Sequence, residues 1–163
     1  MAGVKVTRDR IADYLNVSDT AETETYALMG YGFSALDEKP AAKVDKTAYI
    51  NDKSASGSIT GYENSFSFDT QLIKEEAAID KIYNVARNQL TGAEAETDYV
   101  RVDTFGTETE GAYPARKFRV AIEVSGVTGA GTEVVKVAGN LHQIGNFVEG
   151  TFNTATKTFT AKE

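Results

Sequence analysis

The sequence contains no cysteine and no tryptophan, a single histidine and only two prolines. The absence of cysteine excludes disulfide bonds, thiolate metal sites and a cysteine nucleophile. The lone histidine, His142, lacks the further nitrogen or sulfur ligands that a zinc site needs, and no G-x-S-x-G motif accompanies it to indicate a serine triad. No apolar run approaches the roughly 20 residues that a membrane-spanning helix requires. We therefore expect no catalytic site, no cofactor, no metal and no membrane segment.

Basic residues are also scarce, since 17 Lys and Arg stand against 24 Asp and Glu for a formal charge of -7. Proteins that bind phosphates gain affinity from Lys and Arg that displace counterions, and this chain has the opposite balance. Specific binding to nucleic acid is therefore not expected. The acidity fits either plain solubility or a surface that must lie near DNA without adhering to it.

Other motifs for chemistry are missing as well. The carboxylates between residues 94 and 110 do not follow the spacing of a calcium-binding loop. The glycines at 30–32 and 126–131 lack the lysine and the strand-to-helix context of a phosphate-binding loop, so they indicate turns. The first residues contain no apolar segment typical of a signal peptide. We expect a protein that is made and folded in a reducing cytoplasm.

Hydrophobic periodicity indicates a mainly β protein. At 163 residues the chain is long enough for one domain with its own core. Several short segments alternate apolar and polar residues at the spacing of hairpins, and one segment, 72–90, has the i, i+3, i+4 spacing of an amphipathic helix. The pattern predicts an antiparallel β-sandwich or barrel with one flanking α-helix, confined to residues 25–163.

Two segments do not fit this periodicity. Residues 1–24 are polar and carry charges of both signs, which predicts an N-terminal arm that orders on a partner or stays mobile, with a short helix possible over 8–15. Residues 33–53 show little periodicity, which predicts a loop of unusual length. Such a loop either contacts a neighbouring molecule or is a floppy insertion.

Two hairpins are predicted from alternation. Residues Ser54–Asp69 place hydroxyls on one face and reverse direction near Gly61, and residues Phe118–Leu141 form a second strand pair after which 140–145 breaks the strand. The polar face of the first hairpin is either an ordinary solvated surface or a functional lining.

Opposite charges are segregated along the chain. Residues 92–112 hold six acids against one arginine, and three basic residues follow closely. This arrangement suits complementary contact between identical subunits, or else two solvated patches. The candidates for such a contact are Glu108, Glu110, Arg116, Lys117 and Arg119.

The order of several segments resembles the major tail tube proteins of long-tailed (siphovirus-like) bacteriophages. The segments are Tyr49–Ala55 followed by the serine-rich strand, the helix end Asn88–Thr97 leading into a strand, and the closing glycines and phenylalanines of 139–159. The resemblance runs from about Ile11 to the C-terminus. Each segment is weakly specific, and their order and spacing carry the resemblance.

The resemblance implies a function as well as a fold. It implies a β-sandwich with one helix, shared with contractile-tail tubes and the type VI secretion tube. Six copies would form a ring, and rings would stack into a hollow conduit that surrounds a tape-measure protein during assembly and later delivers double-stranded DNA. A tail terminator and distal tail or baseplate proteins would lie at the ends. The protein would be part of the virion tail, assembled in the host cytoplasm.

The same resemblance assigns roles to particular residues. The loop at 33–53 and the arm at 1–24 would bridge rings and subunits, and the two hairpins would join into an inner barrel. The residues expected to contact the next ring are Asp37, Glu38, Lys39, Lys43, Asp45 and Lys46. The residues expected to face the lumen are Ser56, Ser58, Thr60, Glu63, Asp69 and Glu123.

Two alternatives remain. The chain could be a tube component of a contractile bacteriocin or secretion apparatus, which has the same fold. It could instead be a monomeric β-sandwich binding module, such as a baseplate or carbohydrate-binding domain. A binding module predicts a monomer with an aromatic groove, whereas a tube protein predicts oligomers or polymers.

Overall fold

The computed structural model describes residues 2–20 and 22–163. In this part of the chain, seven strands form one continuous antiparallel path in the order β2-β1-β7-β8-β9-β6-β3, β10 pairs with β9, and β4 and β5 form a separate pair. The strands are β1 (Ile11–Asn16), β2 (Tyr26–Leu28), β3 (Phe33–Lys39), β4 (Ala42–Thr47), β5 (Ser56–Tyr62), β6 (Ser65–Gln71), β7 (Glu96–Asp103), β8 (Ala112–Thr128), β9 (Lys136–Asn153) and β10 (Thr158–Ala161). The sheet curls into a half-barrel with one helix, which confirms the predicted mainly β class.

The large sheet is buried on both faces at its centre. On β7, neighbouring Tyr99 and Val100 point to opposite faces, and both are fully buried. Tyr99 belongs to the larger core between the sheet and the helix, where it contacts Phe66 and Phe118. Val100 belongs to a second core with Phe152 on the other face. Strand β7 therefore contributes side chains to both hydrophobic cores.

The helix is shorter than predicted. Helix α1 covers Ala77–Arg87 and packs Ala78, Ile82 and Val85 into the larger core, and its Ile79 is buried as well. It begins after residue 76 because the chain before it still belongs to β6, whose period-2 burial continues through Thr70.

The predicted arm at 1–24 is wrong for residues 11–16, which belong to the main sheet. Residues Ile11–Asn16 form β1, which pairs with β2 on one side and β7 on the other. Tyr14 and Leu15 are buried on opposite faces, so the alternation that marks an amphipathic strand is absent. The predicted helix over 8–15 reduces to one 3-10 turn at Arg8–Arg10. Residues 1 and 21 of the predicted arm lie outside the described residues.

The predicted loop at 33–53 is also wrong, because it contains two strands. Strand β3 pairs with β6 in the main sheet, and β4 pairs with β5. Strand β3 buries Leu36 and exposes the charged Asp37 and Lys39. Strand β4 is exposed along its whole length. Strands with so few buried residues show little hydrophobic periodicity.

The first predicted hairpin has the wrong partners, and the second is confirmed. Strand β5 pairs with β4, whereas β6 pairs with β3 and β9. Strands β8 and β9 do form a long hairpin. The predicted break at 140–145 does not occur, because residues 140–144 pair in regular register with β8. A bulge follows at 145–147, where the register shifts opposite residue 118 and Gly145 adopts a φ of +67°.

No helix among residues 2–20 and 22–163 is both long and apolar enough to cross a membrane.

Candidate assembly surface

The β4–β5 hairpin extends away from the rest of the chain. Every residue from 41 to 60 is exposed, and the two strands pair only with each other. A two-stranded hairpin is marginally stable by itself in water, because it has no layer to cover its faces. The backbone bond from the Glu63 amide to the Ala41 carbonyl, 3.2 Å from N to O, closes the hairpin at its base. Such an element is a candidate for contact with another molecule.

The two faces of this hairpin differ in chemistry. Val44 lies directly opposite Ile59, and these side chains are 57% and 60% exposed. The other face is polar, with Asp45 opposite Ser58. At the tip of the hairpin, Ile50 is fully exposed. The β-branched pair is therefore an apolar surface that the single chain does not cover.

The residues predicted to contact the next ring separate into two groups. Lys43, Asp45 and Lys46 lie on the exposed hairpin, and the Lys43 ammonium lies 2.6 Å from a carboxylate oxygen of Glu63. Asp37, Glu38 and Lys39 lie on β3 instead, so they do not belong to a loop.

On strand β3, the side chain of Glu38 points to the opposite face from those of Asp37 and Lys39, which face solvent. Its carboxylate accepts two hydrogen bonds from the Arg116 guanidinium, at 2.8 and 3.0 Å. These hydrogen bonds hold the pKa of Glu38 below its usual value, against the opposing effect of burial. Glu38 and Arg116 are therefore ion-pair partners within the chain. Their predicted roles in an inter-ring contact and an inter-subunit contact stay predictions.

A buried polar group that the sequence did not indicate lies beside this pair. Asp13 is 2% exposed and accepts hydrogen bonds from the Tyr99 hydroxyl, from Arg101 at 3.4 Å and from Arg8 at 2.6 Å. Burial raises the pKa of Tyr99, so its hydroxyl stays protonated and donates to the carboxylate. The group joins β1 to β7 inside the half-barrel. No sequence motif indicates this group of polar side chains, because its members are far apart in sequence.

Two of the predicted lumen residues lie on one face of the main sheet. Asp69 on β6 and Glu123 on β8 alternate with buried neighbours, so both point to the solvent face. On the same face, Glu123 accepts a hydrogen bond from Asn140 at 2.8 Å and contacts His142 Nε2 at 3.1 Å. The hydrogen bonds from Asn140 and His142 lower the pKa of Glu123. We call this surface, together with Ser65 and Ser67, the polar sheet face.

The other predicted lumen residues are not on the polar sheet face. Ser56, Ser58 and Thr60 belong to β5 in the separate hairpin, and Glu63 lies between β5 and β6. Their assignment depended on a pairing of β5 with β6 that does not occur. Alternation of apolar and polar residues predicts which side chains share a face of a strand. It does not predict which strand lies beside it.

The basic residues predicted to contact other subunits also have partners within the chain. Lys117 lies 2.6 Å from Glu24, and Arg119 lies 3.4 Å from Asp98. The acidic candidates Glu108 and Glu110 lie in the exposed connection between β7 and β8, where Glu108 accepts a hydrogen bond from the Tyr113 hydroxyl at 3.0 Å. That bond raises the pKa of Tyr113. A role of Glu108 and Glu110 in contacts between subunits stays a prediction.

Across residues 2–20 and 22–163, no three His, Asp or Glu side chains are grouped so that they could hold a metal ion.

Comparison with known proteins identifies a fold but no family. No family model matches the chain, and no curated protein matches it. A solved structure does: a chain of the anti-feeding prophage baseplate, determined by cryo-EM and 6-fold symmetrised, superposes with a TM-score of 0.51. The match covers 91% of this chain and 97% of that chain at 9% sequence identity. At this identity the likeness establishes a shared fold.

Proposed function

We propose that this chain is a structural, non-catalytic subunit of a phage-type tail, in which six copies form a ring and rings stack into a hollow tube. The observation that carries the proposal is the uncovered β4–β5 hairpin, with Val44 and Ile59 more than half exposed on one face. In a single chain the apolar face of this hairpin is in contact with water, which is unfavourable. Contact with a second copy buries that face and so stabilises the assembly.

The fold supports the same class of function. The chain of similar fold belongs to the anti-feeding prophage baseplate, and the match spans nearly the whole of both chains. That assembly was symmetrised 6-fold, which agrees with the ring of six that the resemblance to tail tube proteins implies. A closed ring also removes the exposed edges of β2 and β3, at which the half-barrel ends.

The polar sheet face supports a role as a conduit. Asp69 and Glu123 present carboxylates there, beside Ser65 and Ser67. In the assembled tube this face lines the lumen, first around a tape-measure protein and then around DNA. Carboxylates and hydroxyls offer phosphates no counterion-release gain, so DNA slides past without being retained. Terminator and distal tail or baseplate proteins cap the two ends of the tube in the particle.

A second candidate is a baseplate subunit, or a tube component of a contractile bacteriocin or secretion apparatus. The observation that favours it is that the matched chain belongs to a baseplate. A baseplate subunit needs to form one ring, whereas a tube subunit must also bind copies above and below. Stacking therefore distinguishes the two functions.

Electron microscopy of the purified protein tests the proposal. We expect rings of uniform diameter and stacked tubes in negative stain as the concentration is raised. Single rings that never stack would favour the baseplate subunit. Monomers that persist at every concentration and salt condition, checked by analytical ultracentrifugation, would contradict both functions and favour a monomeric binding module.

A further inference from the structure

The half-barrel has an open seam between β1 and β3. In the part of the chain that the structure describes, β1 pairs with β2 and β7, and β3 pairs with β6 alone, so β1 and β3 share no ladder. Strand β2 covers only residues 14–16 of β1, and the Met29 amide donates to the Asp13 carbonyl just beyond them, 2.8 Å from N to O. No strand among the described residues lies beside residues 11–12 on that side. A groove of about 580 Å³ occupies the seam.

One side chain, that of Arg8, bridges the seam. Its guanidinium donates to the Ile11 carbonyl at 2.8 Å on the β1 side and to the Leu36 carbonyl at 3.1 Å on the β3 side. The same guanidinium donates to the Asp13 carboxylate at 2.6 Å. Arginine can reach three acceptors at once because its N–H groups form a planar fork with fixed directions. Arg8 therefore links the two sides of the seam where no backbone ladder does.

The contact with Leu36 lies on the outer edge of the sheet. Strand β3 is the last strand, so its second edge carries backbone N–H and C=O groups without a ladder partner. Such an edge is a template for pairing with another chain. Leu36 is the fourth of the seven residues of β3, so Arg8 occupies the middle of this edge. An incoming strand cannot run along β3 while the guanidinium is there.

Arg8 can leave the seam at small cost. Its side chain is 49% exposed, so its ion pair with Asp13 is screened by solvent. Asp13 is buried, but it keeps its hydrogen bonds from the Tyr99 hydroxyl and from Arg101 when Arg8 moves away. The large penalty of a buried carboxylate without partners is thereby avoided. A strand along β3 would form several backbone hydrogen bonds in place of the single one that Arg8 makes there.

We propose that Arg8 is an autoinhibitory latch, which occupies the edge of β3 in the free subunit and leaves it when a second copy pairs there. This inference rests on the proposed function, because it concerns how subunits come together, and it names the residue that delays their pairing. The latch covers an exposed edge while free subunits are dilute, and so limits indiscriminate edge-to-edge association. A neighbouring strand displaces it by competition for the same edge.

Replacing Arg8 by lysine tests the latch. Lysine keeps the positive charge beside Asp13 and the net charge of the subunit, but its ammonium lacks the fork that reaches carbonyls on both sides of the seam. The matched control is Arg10→Lys, because the Arg10 guanidinium donates to the Thr104 carbonyl, at 3.1 Å, and not to β3. Circular dichroism and thermal melting first establish that both variants are folded.

Polymerisation is followed by light scattering, with negative stain to identify the product. The Arg8→Lys variant should form tubes at a several-fold lower protein concentration and after a shorter lag than the natural chain, whereas Arg10→Lys should match the natural chain. Identical concentration dependence in all three proteins would overturn the latch and leave the tube function standing. Slower assembly of Arg8→Lys would also overturn it, because Arg8 would then promote the contact.

Hydrogen exchange of the free subunit tests the latch separately from the tube function. Below the concentration at which polymers form, amides of residues 33–39 should exchange several-fold faster in Arg8→Lys than in Arg10→Lys, because β3 separates from β6 more often once its outer edge is released. Equal exchange in this segment would overturn the latch whether or not tubes form. Faster exchange in a set of proteins that never polymerise would show that Arg8 covers the edge and that the proposed function is wrong.

Discussion

Glu38 illustrates how one residue on an edge strand closes the half-barrel. It lies on β3, the last strand of the sheet, and its carboxylate reaches Arg116 on β8 through two short hydrogen bonds. Arg101 on β7 lies 3.9 Å from the same carboxylate. Two-pronged pairing of Arg with a carboxylate is the strong form of an ion pair, because both hydrogen bonds are charge-assisted. Glu38 therefore links the edge strand β3 to the central strands β7 and β8.

Replacing Glu38 by glutamine should destabilise the monomer by about 1–2 kcal/mol at neutral pH, because the charge-assisted bonds to Arg116 are lost. The pKa of Glu38 is lowered in the folded chain from its ordinary value of 4.5. Its stabilisation is thus complete above about pH 4.5 and is lost as the pH falls through the lower folded-state pKa. Urea unfolding of the natural chain and the Glu38→Gln variant, measured over this pH range, checks both statements.

Glu133→Gln serves as the control for that experiment. Glu133 is exposed and lies far along the chain from Arg116, so its substitution should change the free energy of unfolding little at any pH. A difference between the natural chain and Glu38→Gln that stays constant as the pH falls would show that the ion pair is not its cause.

Gly139 meets a requirement of the tertiary structure that the local sequence does not reveal. It lies inside β9 and is buried. A Cβ atom at this position would lie 2.0 Å from the Glu123 carbonyl oxygen on β8. Glycine is present because two strand backbones approach closely, which is a reason that depends on a partner strand and not on the local sequence.

Among the elements, the β4–β5 hairpin is the part of the structure that the monomer needs least. Its residues are exposed throughout, and its base is already closed by the contact between Ala41 and Glu63. Replacing residues 42–62 by a two-residue turn should therefore leave the secondary structure outside the hairpin and the melting temperature nearly unchanged. The same variant should form no tubes, because the apolar face that contacts the next copy is gone.

Circular dichroism, thermal melting and negative stain measure these outcomes on one sample. The matched control is the double substitution Ser56→Ala and Ser58→Ala, which changes the polar face of the hairpin and keeps Val44 and Ile59. The control should still polymerise. Tubes of normal length from the shortened chain would show that the hairpin has no part in assembly.

The elements found from the sequence are those with a buried and an exposed face. Strands β8 and β9 were predicted because Phe118, Val120 and Ile122 alternate with solvent-facing residues. Strands β1, β3 and β4 were missed for physical reasons. Strand β1 is buried on both faces, β4 is exposed on both faces, and β3 buries only Leu36. Alternation of hydrophobicity marks only a strand that divides core from solvent.

At the scale of the whole molecule, the polar sheet face should determine whether an assembled tube retains DNA. The double substitution Asp69→Lys and Glu123→Lys reverses two charges per subunit on the face that we assign to the lumen. Tubes of this variant should retain DNA at low salt and release it as salt rises, because lysines displace counterions from phosphates. Tubes of the natural chain should retain none. Co-sedimentation of tubes with short duplex DNA measures the difference.

Nuclease protection separates the lumen from the outer surface in that experiment. DNA held inside the tube should resist digestion, whereas DNA bound by a control variant with Asp80→Lys, on the exposed side of helix α1 and across the core from the polar sheet face, should be digested. Unprotected DNA on tubes of the Asp69→Lys and Glu123→Lys variant would place the polar sheet face outside.

The sequence by itself determined the β class, the amphipathic helix and the long second hairpin. These follow from composition and from the period of side chains along one segment, which are local properties. The tertiary structure decided which strands pair, and so moved Ser56, Ser58 and Thr60 away from Asp69 and Glu123. It also turned Glu38 inward to Arg116, and it left Val44 and Ile59 exposed opposite each other on a separate hairpin. Pairing depends on contacts between residues distant in sequence, and no local pattern records them.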